Sequence, residues 1–99
     1  MVLNEVFKVL KRIGAVRSES EFSKDWLGRS ECYLRNMRFN GIAPSVSSVA
    51  VCASKLQHYG ARMCATEQHK SLGEEFLDLA EQCHNHINST AEQTWMTQL

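Results

Sequence analysis

The chain is short of residues that break helices: it has one proline and five glycines in 99 residues. No apolar run reaches the roughly 18 residues that a membrane-crossing helix needs. Nowhere do apolar and polar residues alternate over strand length, which argues against a sheet. The four cysteines (Cys32, Cys52, Cys64 and Cys83) never form C-x-x-C, so a redox or zinc motif finds no support. The first residues, Val2–Ile13, lack the apolar core of a secretion signal and carry Lys8, Lys11 and Arg12 instead. The expectation is a cytoplasmic protein with reduced, buried thiols. Net charge is also missing, with 11 basic and 11 acidic residues, but the zero hides a division. Residues 1–63 hold ten Lys/Arg against five Asp/Glu, a net +5, whereas residues 64–99 hold one Lys against six acids, a net −5. A basic part can meet a polyanion, although the two parts can equally attract each other.

What is present is helical periodicity. Leu3, Val6, Phe7, Leu10 and Ile13 form a stripe that Gly14 ends. Ser18-Glu19-Ser20-Glu21 fits a capping box for a second helix, with Phe22, Trp26 and Leu27 as its apolar side and Gly28 as its stop. Ser30 is placed to cap a third helix, Ser30–Phe39, with Tyr33, Leu34 and Met37 inward. Arg35, Asn36 and Arg38 fall off that stripe, and Asn40-Gly41 ends it. Pro44-Ser45 starts a fourth helix, which Val46, Val49, Ala53 and Leu56 pin to a core, with Ala50, Met63 and Cys64 continuing the stripe. Gly60 lies inside it as either a kink or an end. Ser71-Leu72-Gly73-Glu74 repeats the capping-box pattern before the stripe Leu72, Phe76, Leu79, Ala80, Cys83 and Ile87. From Asn88 to Leu99 the tail is polar, with Trp95, Met96 and Leu99 as isolated apolar residues. The sum is an all-α, five-helix single domain over residues 1–99, with no repeats and no internal boundary.

Catalytic and metal chemistry find little footing. There is no glycine-rich phosphate loop, no H-E-x-x-H and no nucleophile elbow, so an enzyme is not expected. His84 and His86 are two apart on a helix and point in different directions, and Cys64, His69 and Cys83 offer no tight pairs, so neither a metal nor a cofactor is expected.

The stretch Gly28–Leu56 (GRSECYLRNMRFNGIAPSVSSVAVCASKL) resembles the small helix-turn-helix regulators of the λ-repressor/Cro type. Their loose pattern is G-x-S-x-x-x-I-x-x-I-x-x-G-x-x-x-P-S-x-x-x-L-x-x-x-A-x-x-L. It is followed without a gap by Gly28, Ser30, Leu34, Met37, Asn40, Pro44, Ser45, Val49, Ala53 and Leu56, with Asn in place of the second glycine. The resemblance implies a helix-turn-helix core over residues 18–57, with an added amphipathic helix over residues 71–88, and a bacterial or phage transcriptional regulator that binds double-stranded DNA. It sets Arg29, Glu31, Cys32, Arg35 and Asn36 nearest the DNA, with Lys24, Arg38 and the amides of Gly41–Ala43 on phosphates. Regulators of this type pair on two-fold half-sites, which makes the stripe of Leu72, Phe76, Leu79, Cys83 and Ile87 the expected homodimer interface, although it can also cover its own core. The alternative is a helical protein-interaction module that keeps the fold without reading DNA. Lys24 favours it, standing where the regulators carry a small residue, as do the zero net charge and the acidic C-terminal half. The phrase Phe22–Ser30 (FSKDWLGRS) also resembles a little-characterised group of small bacterial proteins of unknown function, and it carries no activity with it.

Overall fold

The local signals produce helices where they are strongest. In the computed structural model, which describes residues 1–98, the order is α1 (Val2–Arg12), α2 (Glu19–Leu27), α3 (Tyr33–Asn40), α4 (Val46–Cys64) and α5 (Lys70–Met96). A single 3-10 turn, Glu67–His69, leads into α5. The architecture is all-helical and forms one domain around one core. Ser18 caps α2, its Oγ accepting from the Glu21 amide at 3.2 Å, and Ser45 caps α4 in the same way through Ser48. Gly28 closes α2 at φ +65°, a left-handed backbone that a side chain would strain.

α4 and α5 form an antiparallel hairpin, the most extensive helix pairing in the molecule. Near its turn the Cys64 thiol lies 3.9 Å from the Lys70 carbonyl, and further along Cys52 of α4 faces Cys83 of α5. α1 packs on α5, and α2 on α4. Leu3, Val6, Leu10, Phe22, Leu27, Leu34, Val49, Leu56 and Cys83 meet in the centre. Burial of such side chains is worth about 1.5–3 kcal/mol each, and it holds together helices too short to persist alone. Arg12 donates two 2.9 Å hydrogen bonds to the Glu75 carboxylate, joining the basic and acidic parts of the chain.

Four details differ from the pattern read in the sequence. The third helix begins at Tyr33, not Ser30: residues 28–32 form an irregular turn, in which the Ser30 carbonyl accepts from the Tyr33 amide at 3.1 Å. Ser71 caps nothing, because the 3-10 turn carries the chain directly into α5 at Lys70. The polar tail is helical to Met96, since nothing between Asn88 and Met96 breaks a helix. Leu99, read as part of that tail, lies outside the described residues. Val46 and Ala50, expected on the inward stripe of α4, are exposed, and Cys52 takes the inward position instead.

The stripe expected at a homodimer interface also finds its partner within the chain. Phe76, Leu79 and Cys83 are buried in the core, and Leu72 and Ile87 are half-buried against it. Those three side chains have no surface left to offer a second copy. Gly60 neither kinks nor ends α4, which runs on to Cys64; it is buried where α5 crosses at Gly73.

Candidate nucleic-acid interface

α3 is eight residues long, and its inner face is set by Leu34 and Met37, both buried. Residues one position on from each therefore point outward, and Arg35, Asn36, Arg38 and Phe39 are all exposed. Tyr33 anchors the other end of this surface. Its hydroxyl accepts from the Ser45 amide at 2.9 Å and lies 3.0 Å from the Ser48 hydroxyl, tying the start of α3 to the start of α4. Those hydrogen bonds draw the phenol below its ordinary pKa, although desolvation is the largest influence on the group and acts the other way.

No side chain of its own caps α3. Ser23, fully buried on α2, supplies the missing acceptor: its Oγ takes the Leu34 amide at 3.2 Å. Its carbonyl accepts from the amides of Gly28 and Arg29. One serine therefore closes α2 with its backbone and opens α3 with its side chain. The sequence gives no local hint of this, because the capped helix starts ten residues further on.

The structure gathers the DNA-facing candidates on the α2–α3 side of the molecule but leaves few of them free. Arg38 forms a bidentate pair with Glu19, one arm of which measures 2.7 Å. The hydrogen bond from Arg38 holds the Glu19 carboxyl below its usual range. Lys24 Nζ is 4.0 Å from the Glu31 carboxylate. Arg35 reaches the Cys32 sulfur at 3.0 Å. Arg29 lies 5.0 Å over the Tyr33 ring and donates to Ser45 Oγ at 2.7 Å. Between residues 18 and 41 four cations (Lys24, Arg29, Arg35, Arg38) meet four acids (Glu19, Glu21, Asp25, Glu31), a local net charge of zero. The surface is a patterned one and not a broad positive field.

Two exposed apolar residues adjoin it that the charge pattern did not single out: Phe39 is 88% exposed and Ile42 59%. The phenylalanine at the outer end of α3 is visible in the sequence only as a break in the polarity of that face. Among the described residues no cluster of His, Cys, Asp or Glu is suited to hold a metal ion, and no helix is long and apolar enough to cross a membrane.

No curated protein and no solved structure matches the chain. A family model does match, over residues 3–96, and so spans every helix just described. The chain belongs to DUF6626, a family of unknown function.

Proposed function

We propose that this protein is a small DNA-binding regulator of the helix-turn-helix type, which lays the outward face of α3 in the major groove. The observation that carries this reading is the disposition of α3. Leu34 and Met37 fasten it to the core while Arg35, Asn36 and Arg38 stay exposed on a helix that only a short turn separates from α2. Arg35 is suited to guanine O6/N7 and Asn36 to adenine N6/N7. Arg29, in the turn, and Lys24, on α2, are suited to phosphates. Glu31 can accept from cytosine N4, and Cys32 stands beside it at the start of the helix. The two-fold pairing that repeated half-sites call for then falls to the outer part of α5, where Trp95 and Met96 are half-exposed.

The test is binding to mixed-sequence duplex DNA, followed by anisotropy at two salt concentrations. Affinity should fall with salt, and Arg35→Ala should weaken binding. No binding at low salt would discard the reading.

Phe39 and Ile42 favour a second reading, in which the same face grips a protein partner. Apolar side chains this exposed beside a charge-balanced surface suit a protein interface better than a phosphate backbone. Phe39→Ser separates the two: it should leave the salt dependence of DNA binding intact but abolish a protein contact.

A further inference from the structure

On the side of the molecule to which α3 contributes no residue, the α1–α2 turn, α2, α4 and α5 border an open hollow of about 830 Å³. That lies within the range of small-molecule sites, which runs from about 300 to 1,000 Å³. Its walls are aromatic. The rings of Trp26 and Tyr59 are 6.0 Å apart, and Phe76 meets Trp26 edge-on at 6.3 Å. Met63 and Ile13 extend the apolar lining. Trp26 and Phe76 are nearly buried, but Tyr59 is 43% exposed, a large aromatic surface left facing the opening.

The polar side chains at this hollow are Asp25, Lys55, Arg62, Thr66 and His69, with the Tyr59 hydroxyl. Lys55 and Arg62 both line it, and among the described residues neither forms an ion pair. Lys55 is held in place: its ammonium sits 4.5 Å from the centre of the Trp26 ring and donates to the Asp25 carbonyl at 2.7 Å. That leaves it two further N–H donors. Asp25 is the single carboxylate among the lining residues, so the two cations, Lys55 held in place and Arg62 exposed, outnumber the acid. A cationic guest would face both of them, and a neutral one would leave them without a partner.

We propose that this hollow binds a small aromatic carboxylate, its ring against Trp26, Tyr59 and Phe76 and its anionic head between Lys55 and Arg62. Aromatic stacking supplies the body of the site, and charge-assisted hydrogen bonds fix the orientation of the head. The inference does not depend on DNA binding. It does bear on it, because α2 lines the hollow with Asp25 and Trp26 and caps α3 with Ser23.

The experiment is calorimetric titration of the whole chain with phenylbutyrate and, separately, with phenylbutanol, which has the same body without the charge. Trp95→Phe leaves Trp26 as the sole tryptophan, so its emission reports whether the hollow is the place occupied. The carboxylate should bind saturably and shift Trp26 emission, and the alcohol should bind at least about tenfold more weakly. Lys55→Gln with Arg62→Gln should weaken the carboxylate by about tenfold or more, whereas Lys55→Arg with Arg62→Lys should keep it within about threefold. Equal binding of acid and alcohol would overturn the proposal, as would undiminished binding by the double glutamine variant. So would the absence of both heat and emission change up to about 5 mM ligand.

Discussion

Gly60 and Gly73 pass each other backbone to backbone where α4 crosses α5. A Cβ built on Gly73 would stand 2.8 Å from the Gly60 carbonyl oxygen and equally close to the Cys64 amide nitrogen. One built on Gly60 would meet Leu77 Cδ2 at 3.0 Å and the Gly73 carbonyl oxygen at 3.1 Å. Neither glycine is there for a turn. Both lie inside helices, where glycine is about 1 kcal/mol worse than alanine, so close approach must repay that loss.

Gly73→Ala should therefore destabilise the protein by about 1–3 kcal/mol, against the propensity gain, because backbone atoms on α4 cannot step aside. Gly60→Ala should be milder, since its nearest neighbour is the tip of a half-buried leucine side chain. Urea unfolding monitored by circular dichroism checks both. A Gly73→Ala variant more stable than the parent would mean that the two helices lie further apart.

The serine that opens α3 is the second point to test. Ser23→Ala removes the acceptor of the buried Leu34 amide and leaves that N–H without a partner. The expected loss is about 1–3 kcal/mol in urea unfolding. Amide exchange at Leu34 should quicken further than exchange in α4, because the opening is local to the start of α3.

The cysteines divide into two classes. Cys52 and Cys83 are buried, and the neighbouring Cys83 thiol pushes that of Cys52 upward, with burial acting in the same direction. Cys32 and Cys64 are half-buried, and all four are free. A colourimetric thiol reagent should label two groups in the native protein and the remaining two only once denaturant is added. Peptide mapping should assign the early label to Cys32 and Cys64.

How much of this was legible in the sequence depends on the range of the interaction involved. Ser18, Gly28 and Ser45 act within their own turn of chain, and the helix ends they mark stand where the spacing puts them. The apolar stripes of α1 and α3 are legible for the same reason, except that Ile13, read as the end of the first stripe, lies past the helix and is exposed. Ser30 failed as a cap because its role passed to Ser23, on another helix, and no local pattern records that transfer. Gly60 was ambiguous because its explanation is Gly73, across the hairpin. The exposed face of α3 follows from Leu34 and Met37 by spacing alone. The ion pair between Arg38 and Glu19 joins α3 to the first turn of α2 and needed the fold. The aromatic hollow draws on α2, α4, α5 and the turns before α2 and α5, and it has no signature in any single stretch.

That ion pair sets a pH dependence. The hydrogen bond from Arg38 lowers the Glu19 pKa from its ordinary 4.5 in the folded protein, so the pair stabilises the fold while Glu19 is ionised. The contribution is whole well above pH 4.5. It erodes as pH falls through that value and vanishes below the depressed native pKa. Glu19→Gln should consequently lower the urea midpoint slightly at pH 7, and parent and variant should converge in acid. The difference should be small, because both partners are partly in solvent and salt screens them.

The same substitution has the opposite consequence for nucleic-acid binding. In the free protein the guanidinium of Arg38 is neutralised by Glu19, and a phosphate must displace that carboxylate to use it. Glu19→Gln releases Arg38 and removes an acid from the face, turning its net charge from zero to +1. Affinity for duplex DNA should rise about two- to tenfold at low salt, with a steeper salt dependence if Arg38 then meets a phosphate. In Glu19→Gln with Arg38→Ala the gain through the arginine should disappear, which separates a released contact from a general change of charge. Equal affinities for parent and Glu19→Gln would place this end of α3 away from the DNA and leave Arg38 as a strut between α3 and α2.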